Sequence, residues 1–231
     1  MLQIEDHTFF QDGLSSRSVV LDLGANHGRF AHEIIRRFDC NVHAVEANPE
    51  LLQSIAPHQR LTRLNSAVAA KSGTIPFHIS GRSDEASTII TSGAADAVRT
   101  VEIQSVTLSE LIERFADPMV DLLKLDIEGA EIEVFEATSD ALLQRCVQVT
   151  VEFHDFCGLI SPEAADRTAK RFQRLGFYVV KMWMRSHGDT LFINRSHASV
   201  TPMQLAWSRY AVKNWWWLQR KIATKLALRH P

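Results

Sequence analysis

The chain has 231 residues, 45% of them hydrophobic and 23% charged, with a formal net charge of −2. That length buries a sizeable core as one domain with extensions, and no uncharged apolar stretch is long enough to span a bilayer. Its three cysteines, Cys40, Cys146 and Cys157, show neither metal-ligand spacing nor an even framework, which excludes a disulfide-stapled class and fits reduced thiols in the cytoplasm.

Residues 1–17 form an entry segment whose Phe9 and Phe10 are expected to pack over a cofactor cleft; with acids and no apolar run at its start, no secretory leader is expected. Val19 to Leu23 is a short apolar run that reads as a buried parallel strand. It ends in the turn Gly24-Ala25-Asn26-His27-Gly28, after which Phe30, Ile34, Ile35 and Phe38 recur at helical spacing. A second strand, Asn41 to Val45, closes on Glu46, a carboxylate placed to accept from both hydroxyls of a ribose. This β-α-β unit reads as nucleoside-binding. A dinucleotide fingerprint needs glycines at the third and sixth positions from Gly24, where Asn26 and Arg29 stand, and no Gly-Lys-Ser/Thr follows as in a phosphate loop. Asp22, at the end of the strand, would repel phosphates but suits a cofactor bearing a positive charge and an amino group. S-adenosylmethionine has both.

Further along, Asn48-Pro49-Glu50 opens a helix with proline at its first position. Leu61 to Ala69 is expected as the third strand, carrying Asn65 and Ser66, and Thr74 to Ile79 as an added strand. Residues 80–99, rich in Ser, Ala and Gly, read as a loop beside the site, a substrate lid or a plain surface excursion. Val101 to Val106 alternates as a strand. Thr107-Leu108-Ser109-Glu110 is a capping box. Val120 to Asp126 is the next core strand, Glu131 to Thr138 a helix, and Val147 to Phe153 a strand leading into His154. Ser161-Pro162-Glu163 starts a helix that Gly176 should stop. Tyr178 to Met184 and Thr190 to Asn194 close the sheet as a hairpin.

Four blocks now resemble the FkbM family of S-adenosylmethionine-dependent methyltransferases: Asp22-Leu23-Gly24-Ala25-Asn26-His27-Gly28, Glu46-Ala47-Asn48-Pro49, Lys124-Leu125-Asp126-Ile127-Glu128-Gly129-Ala130-Glu131, and Val151-Glu152-Phe153-His154. The family usually has Pro where Ala47 stands and Asp where Ser109 stands; neither change touches the expected chemistry. The resemblance implies an α/β fold, the Rossmann-like class I methyltransferase with a mostly parallel seven-stranded sheet and an antiparallel last strand. It spans residues 18–195. It also implies O-methylation of hydroxyls, often on sugars or natural-product scaffolds. An N-methyltransferase of a small molecule or peptide, and a non-catalytic membrane-associated adaptor retaining the fold, are the competing readings.

Strand ends at one sheet edge gather the expected site. Gly24, Ala25, Asn26 and Gly28 supply close backbone approach, and Asp22 meets the amino group at the methionine end, directly or through water. Glu46 and Ala47 hold the ribose, Asn65 and Ser66 lie near the adenine, and Asp126 borders both halves. Asp126, Glu128, Glu152 and His154 form the acceptor half. His154 is the expected general base, oriented by Glu152 or Asp126, while Glu128 binds a substrate hydroxyl or helps turn the loop. The less favoured alternative is a divalent metal on Asp126, Glu152 and His154. Lys124 and Glu131 are expected to form a salt bridge.

Residues 196–231 read as a tail. Residues 190–231 carry seven basic side chains and no acidic one, leaving 18 basic and 27 acidic before them. From Met203 the chain reads as one amphipathic helix, with Trp207, Ala211, Trp215, Leu218, Ile222 and Leu226 in an apolar stripe. Basic residues and off-stripe Trp216 and Trp217 suit an anionic membrane surface contacted by residues 203–231 on its inner face. A helix packed on the domain or on a second copy is the alternative. Nucleic acid is not expected, because the body of the chain is acidic.

Overall fold

The computed structural model describes residues 1–80, 86–87, 97–183, 186–198 and 200–207. The main strands are β1 (Leu2–Ile4), β2 (His7–Phe9), β3 (Val19–Leu23), β4 (Asn41–Glu46), β5 (Leu61–Asn65), β6 (Ala67–Val68), β7 (Gly73–Ser80), β8 (Ala86–Ser87), β9 (Ala97–Val106), β10 (Leu122–Leu125), β11 (Gln148–Val151), β12 (Phe177–Lys181) and β13 (Thr190–Asn194). A seven-stranded sheet runs β12-β13-β11-β10-β3-β4-β5. Its central strands are parallel, and β13 is antiparallel to both neighbours. This is the class I methyltransferase arrangement. The chain leaves β3 in one direction to β4 and β5 and then returns on the other side to β10. The crevice for a ligand therefore lies beyond the carboxyl ends of β3 and β10.

The apolar runs are buried on both faces, as a covered parallel sheet requires. On one side Leu123, Val149, Phe135, Phe153, Phe172 and Phe192 form the larger core with α3 (Leu108–Phe115), α4 (Glu131–Ala137), α5 (Asp140–Leu143) and α6 (Pro162–Arg174). On the other, Val20, Val42 and Leu122 pack against Phe30 and Ile34 of α1 (Arg29–Phe38). Local signals act where they stand. Thr107 and Glu110 make both capping-box hydrogen bonds, Ser161 caps α6 ahead of Pro162, and Asn48 caps α2 (Pro49–Ser54).

Three expectations are corrected. Phe9 and Phe10 are buried in the core, Phe9 edge-on to Phe30 and Phe38 at 6.0 and 6.5 Å, and do not cover the cleft. β1 and β2 form a hairpin that brings His7 and Thr8 to the sheet instead; Thr8 donates through N and Oγ1 to Asp189 at 3.2 and 2.6 Å. The third strand breaks at Ser66, whose hydroxyl donates to the Gln104 carbonyl at 2.8 Å, so β6 joins a second sheet ordered β6-β9-β7-β8. The loop expected over 80–99 is strand at its ends, because β7 and β9 pair antiparallel from Gly73↔Ser105 to Ser80↔Ala97; residues 81–85 and 88–96 lie outside the described ones.

Of the tail, residues 196–198 and 200–207 are described; they end in the helix Pro202–Trp207, capped by Thr201, with Leu205 8% exposed in the core beside α1. The apolar stripe beyond it lies outside the described residues. Among the described residues no helix is long and apolar enough to cross a membrane.

Candidate active site

Two glycines shape the cofactor turn, for a reason the sequence did not give. A Cβ on Gly24, at φ +78, would sit 1.7 Å from the Asp126 carbonyl oxygen, and one on Gly28, at φ +72, would sit 2.6 Å from Ile55 Cγ2. Neighbouring chain, not ligand, fills that space. The turn locks the end of β3 against the loop after β10.

Glu46, 7% exposed, ends β4. Its Oε2 accepts from Asn26 N and its Oε1 from Asn48 N, both at 2.8 Å. An ionised carboxylate offers about four lone-pair sites, so two remain for a pair of hydroxyls. Burial pushes its pKa up, against the pull of the Asn48 and Asn26 N–H groups. Beside it Asn26 Oδ1 is buried and lacks a hydrogen-bond partner among the described residues. A buried acceptor with no partner is costly unless a ligand donates to it.

The cleft, about 560 Å³ including open solvent, is lined on its polar side by Gly24, Asn26, Glu46, Ser66, Asp126 and Glu128. Its apolar wall includes Val45, Leu51, Val68, Phe77 and Ile127, which sequence reading missed. Strand alternation foretold that Ile75, Phe77 and Ile79 share a face, but only the β7–β9 register turns Phe77 toward the cleft. Ala47 lines the cleft; Ala25, Gly28, Asp22 and Asn65 do not. Ala25 packs with Ala44 and Ile55, and Asn65 Nδ2 braces the turn by donating to the carbonyls of Glu46 and Ala47 at 2.9 and 3.0 Å. Asp22 is fully buried, 3.3 Å from Lys124 Nζ, so direct contact with a cofactor amino group is closed to it.

The residues present fit S-adenosylmethionine: spare acceptors at Glu46 and Asn26, an apolar wall, and no phosphate-binding cation among the cleft-lining residues. Glu46, Asn26 and Ser66 would hold the nucleoside, with Phe77 and Val68 against the base.

On the acceptor half, Glu128 sits at φ 54 in the turn after β10. Glu131, fully buried at the start of α4, fixes that turn. Its Oε1 accepts from Ile127 N and Gly129 N at 3.1 Å each and lies 3.0 Å from His154 Nδ1. His154 Nε2 lies 3.1 Å from Glu128 Oε2 and 3.7 Å from Asp126 Oδ1. Burial works against the charged ring, but Glu128 and Glu131 outweigh it and raise its pKa to about 11. Carboxylate oxygens face both ring nitrogens, an arrangement that favours the imidazolium, in which no lone pair is left for the base role expected of His154. Its orienting partner is Glu131, not Glu152 or Asp126.

Lys124, which was expected to pair with Glu131, instead reaches Asp22 and, at 3.5 Å, Asp126 Oδ2, and donates to the Gly24 carbonyl. Burial works against its charge too, and Asp22, Asp126 and Glu5 overcome it, raising its pKa. Asp126, opposed by burial, is held well below the usual carboxylate range by Lys124, His7 and His154. Burial and then Asp126 push Glu152 up to about 8. The expected metal trio is divided. Asp126 groups with His7 and Glu152 on one side, and with Glu128 and His154 on the other.

The methyltransferase FkbM domain family matches residues 22–190. The hexuronic acid methyltransferase AglP of Haloferax volcanii is 29% identical over 143 residues, 59% of this chain and 56% of that protein, so the chain spans a little over half of that relative's length. Among solved structures, a precorrin-6y C5,15-methyltransferase from Geobacter metallireducens is 13% identical with a TM-score of 0.41, over 78% of this chain and 80% of that one. TrmK of M. capricolum with S-adenosyl-homocysteine is 8% identical with a TM-score of 0.43, over 84% and 70%.

Proposed function

For a chain that belongs to the FkbM family of S-adenosylmethionine-dependent methyltransferases, we propose that the methyl acceptor is a hydroxyl of a sugar or a related polyhydroxylated small molecule. The observation that carries this reading is the clamp Glu131–His154–Glu128, which fixes a carboxylate on the cleft wall close to Asp126. Carboxylates accept from hydroxyls, and a hydroxyl must lose its proton to be methylated. When bound, S-adenosylmethionine supplies a methyl on a sulfonium, ready for in-line displacement.

The chain's own residues do the rest. Glu46 and Asn26 fix the ribose. Asp126, kept ionised by Lys124, accepts from one acceptor hydroxyl and places a negative charge near the cationic donor. Glu128 accepts from the reacting hydroxyl and takes its proton, while the imidazolium of His154 holds it in place. Alignment of the two reactants supplies up to ~7–11 kcal/mol, and a positioned base about 10²–10⁴-fold. The Haloferax relative is a hexuronic acid methyltransferase, which supports a sugar as the class.

The test is transfer from methyl-labelled S-adenosylmethionine to a panel of methyl pyranosides, oligosaccharides and amines, read by mass spectrometry. A base-stable methyl ether on a sugar is expected. Label found solely on amines, or on no polyol at all, would overturn the reading.

A further inference from the structure

We propose that His7 of the N-terminal hairpin, with Asp126 and Glu152 at the ends of β10 and β11, forms a divalent-cation site at the acceptor end of the cleft. One ligand atom from each lies within 4.8 Å of the others. The independent observation is His7 itself. It is 1% exposed, and its Nε2 is buried with no hydrogen-bond partner among the described residues. That atom faces Asp126 Oδ2 at 3.5 Å, long for a hydrogen bond. It is close to the separation of two ligands that share one ion through bonds of about 2.0–2.2 Å. The other ring nitrogen, Nδ1, lies 3.5 Å from Thr150 Oγ1. In the tautomer that carries its proton on Nδ1, Nε2 keeps its lone pair, as a ligating histidine requires.

Charge points the same way. Asp126, Glu128 and Glu131 outnumber the two cations that pair with them, Lys124 and the His154 ring. A divalent ion offsets that surplus, and binding it would cost Glu152 its proton. The second grouping, Asp126 with Glu128 and His154, cannot serve, because the His154 ring nitrogens are spent on Glu131 and Glu128. Three protein ligands leave open positions for water or an acceptor hydroxyl, whose proton the ion would make easier to remove. The binding stands without the proposed sugar acceptor; only this last consequence rests on it.

The experiment uses the full chain, stripped with chelator and titrated with Mn²⁺ alone, the free ion being followed by electron paramagnetic resonance. One Mn²⁺ per chain is expected, weakened at least tenfold in Glu152→Gln and in His7→Gln and unchanged in Glu128→Gln. Heat from S-adenosyl-homocysteine, retained in all three, reports that each variant is folded and that the cofactor reading holds independently. No bound Mn²⁺, or loss of it in Glu128→Gln with retention in His7→Gln, would overturn the proposal.

Discussion

Replacing Glu131 with glutamine isolates the charge that holds His154 in place. The amide is isosteric, so Oε1 can still accept from Ile127 N and Gly129 N, and the turn after β10 keeps its hydrogen bonds. What is lost is the countercharge 3.0 Å from Nδ1. Glu128 and Glu131 together raise His154 from 6.5 to about 11. Dividing the rise evenly, at about 1.36 kcal/mol per pH unit, gives ~3 kcal/mol for Glu131, in line with about 3–5 kcal/mol for breaking a buried pair. The sign follows from the raised folded-state pKa. The stabilisation is complete below pH 6.5 and fades as pH rises toward 11. Denaturant unfolding of wild type and variant at pH 6 and pH 9.5 is the assay, because linkage common to both cancels in the difference. The gap should be largest, ~3 kcal/mol, at pH 6 and smaller by ~1 kcal/mol at pH 9.5. A gap that does not change with pH would show that His154 carries no charge in the folded protein.

Glu46→Gln puts an N–H₂ against the N–H of Asn26 or Asn48 and removes one charged acceptor for the ribose. Calorimetry with S-adenosyl-homocysteine should then show affinity weakened about 10–100-fold, from the ~1.5–3 kcal/mol typical of hydrogen bonds to charged groups; a change under twofold would remove Glu46 from the ribose site. His43, stacked 3.9 Å from Phe115, is lowered to about 4 by burial and then by Arg114. A depressed base contributes stability that is present above pH 6.5 and lost as pH falls through 4. His43→Phe should therefore flatten the acid limb of unfolding by at most ~3 kcal/mol, an upper bound for a partly exposed ring. Deleting residues 208–231 should abolish co-sedimentation with anionic vesicles at low salt; vesicles that bind neither form would end the membrane reading.

What the sequence made legible is what neighbouring residues encode. The β3–α1–β4 unit, Glu46 at its end, and the caps at Asn48, Thr107 and Ser161 all follow from periodicity and short-range hydrogen bonding. Partners far apart in the chain were not legible. Glu131 looked like a mate for Lys124 because both flank one motif, yet α4 turns it toward His154, whereas Lys124 lies on a strand between Asp22 and Asp126. His7 had no local mark of function, and its place beside Asp126 depends on how the hairpin docks. Ser66 ends one strand because of a carbonyl in β9 that no local pattern announces.

The hairpin also orders the birth of the molecule. Phe10 is held by Gln148, whose side chain accepts from its N at 2.8 Å and donates to its O at 2.9 Å, and Thr8 is held by Asp189. The ribosome releases the first of these partners long before the second. The amino-terminal strands wait for anchors 138 and 181 residues further along the chain, whereas the nucleoside turn waits only for Asp126, against which Gly24 packs. The acceptor half is thus assembled last, when nearly the whole domain has been made.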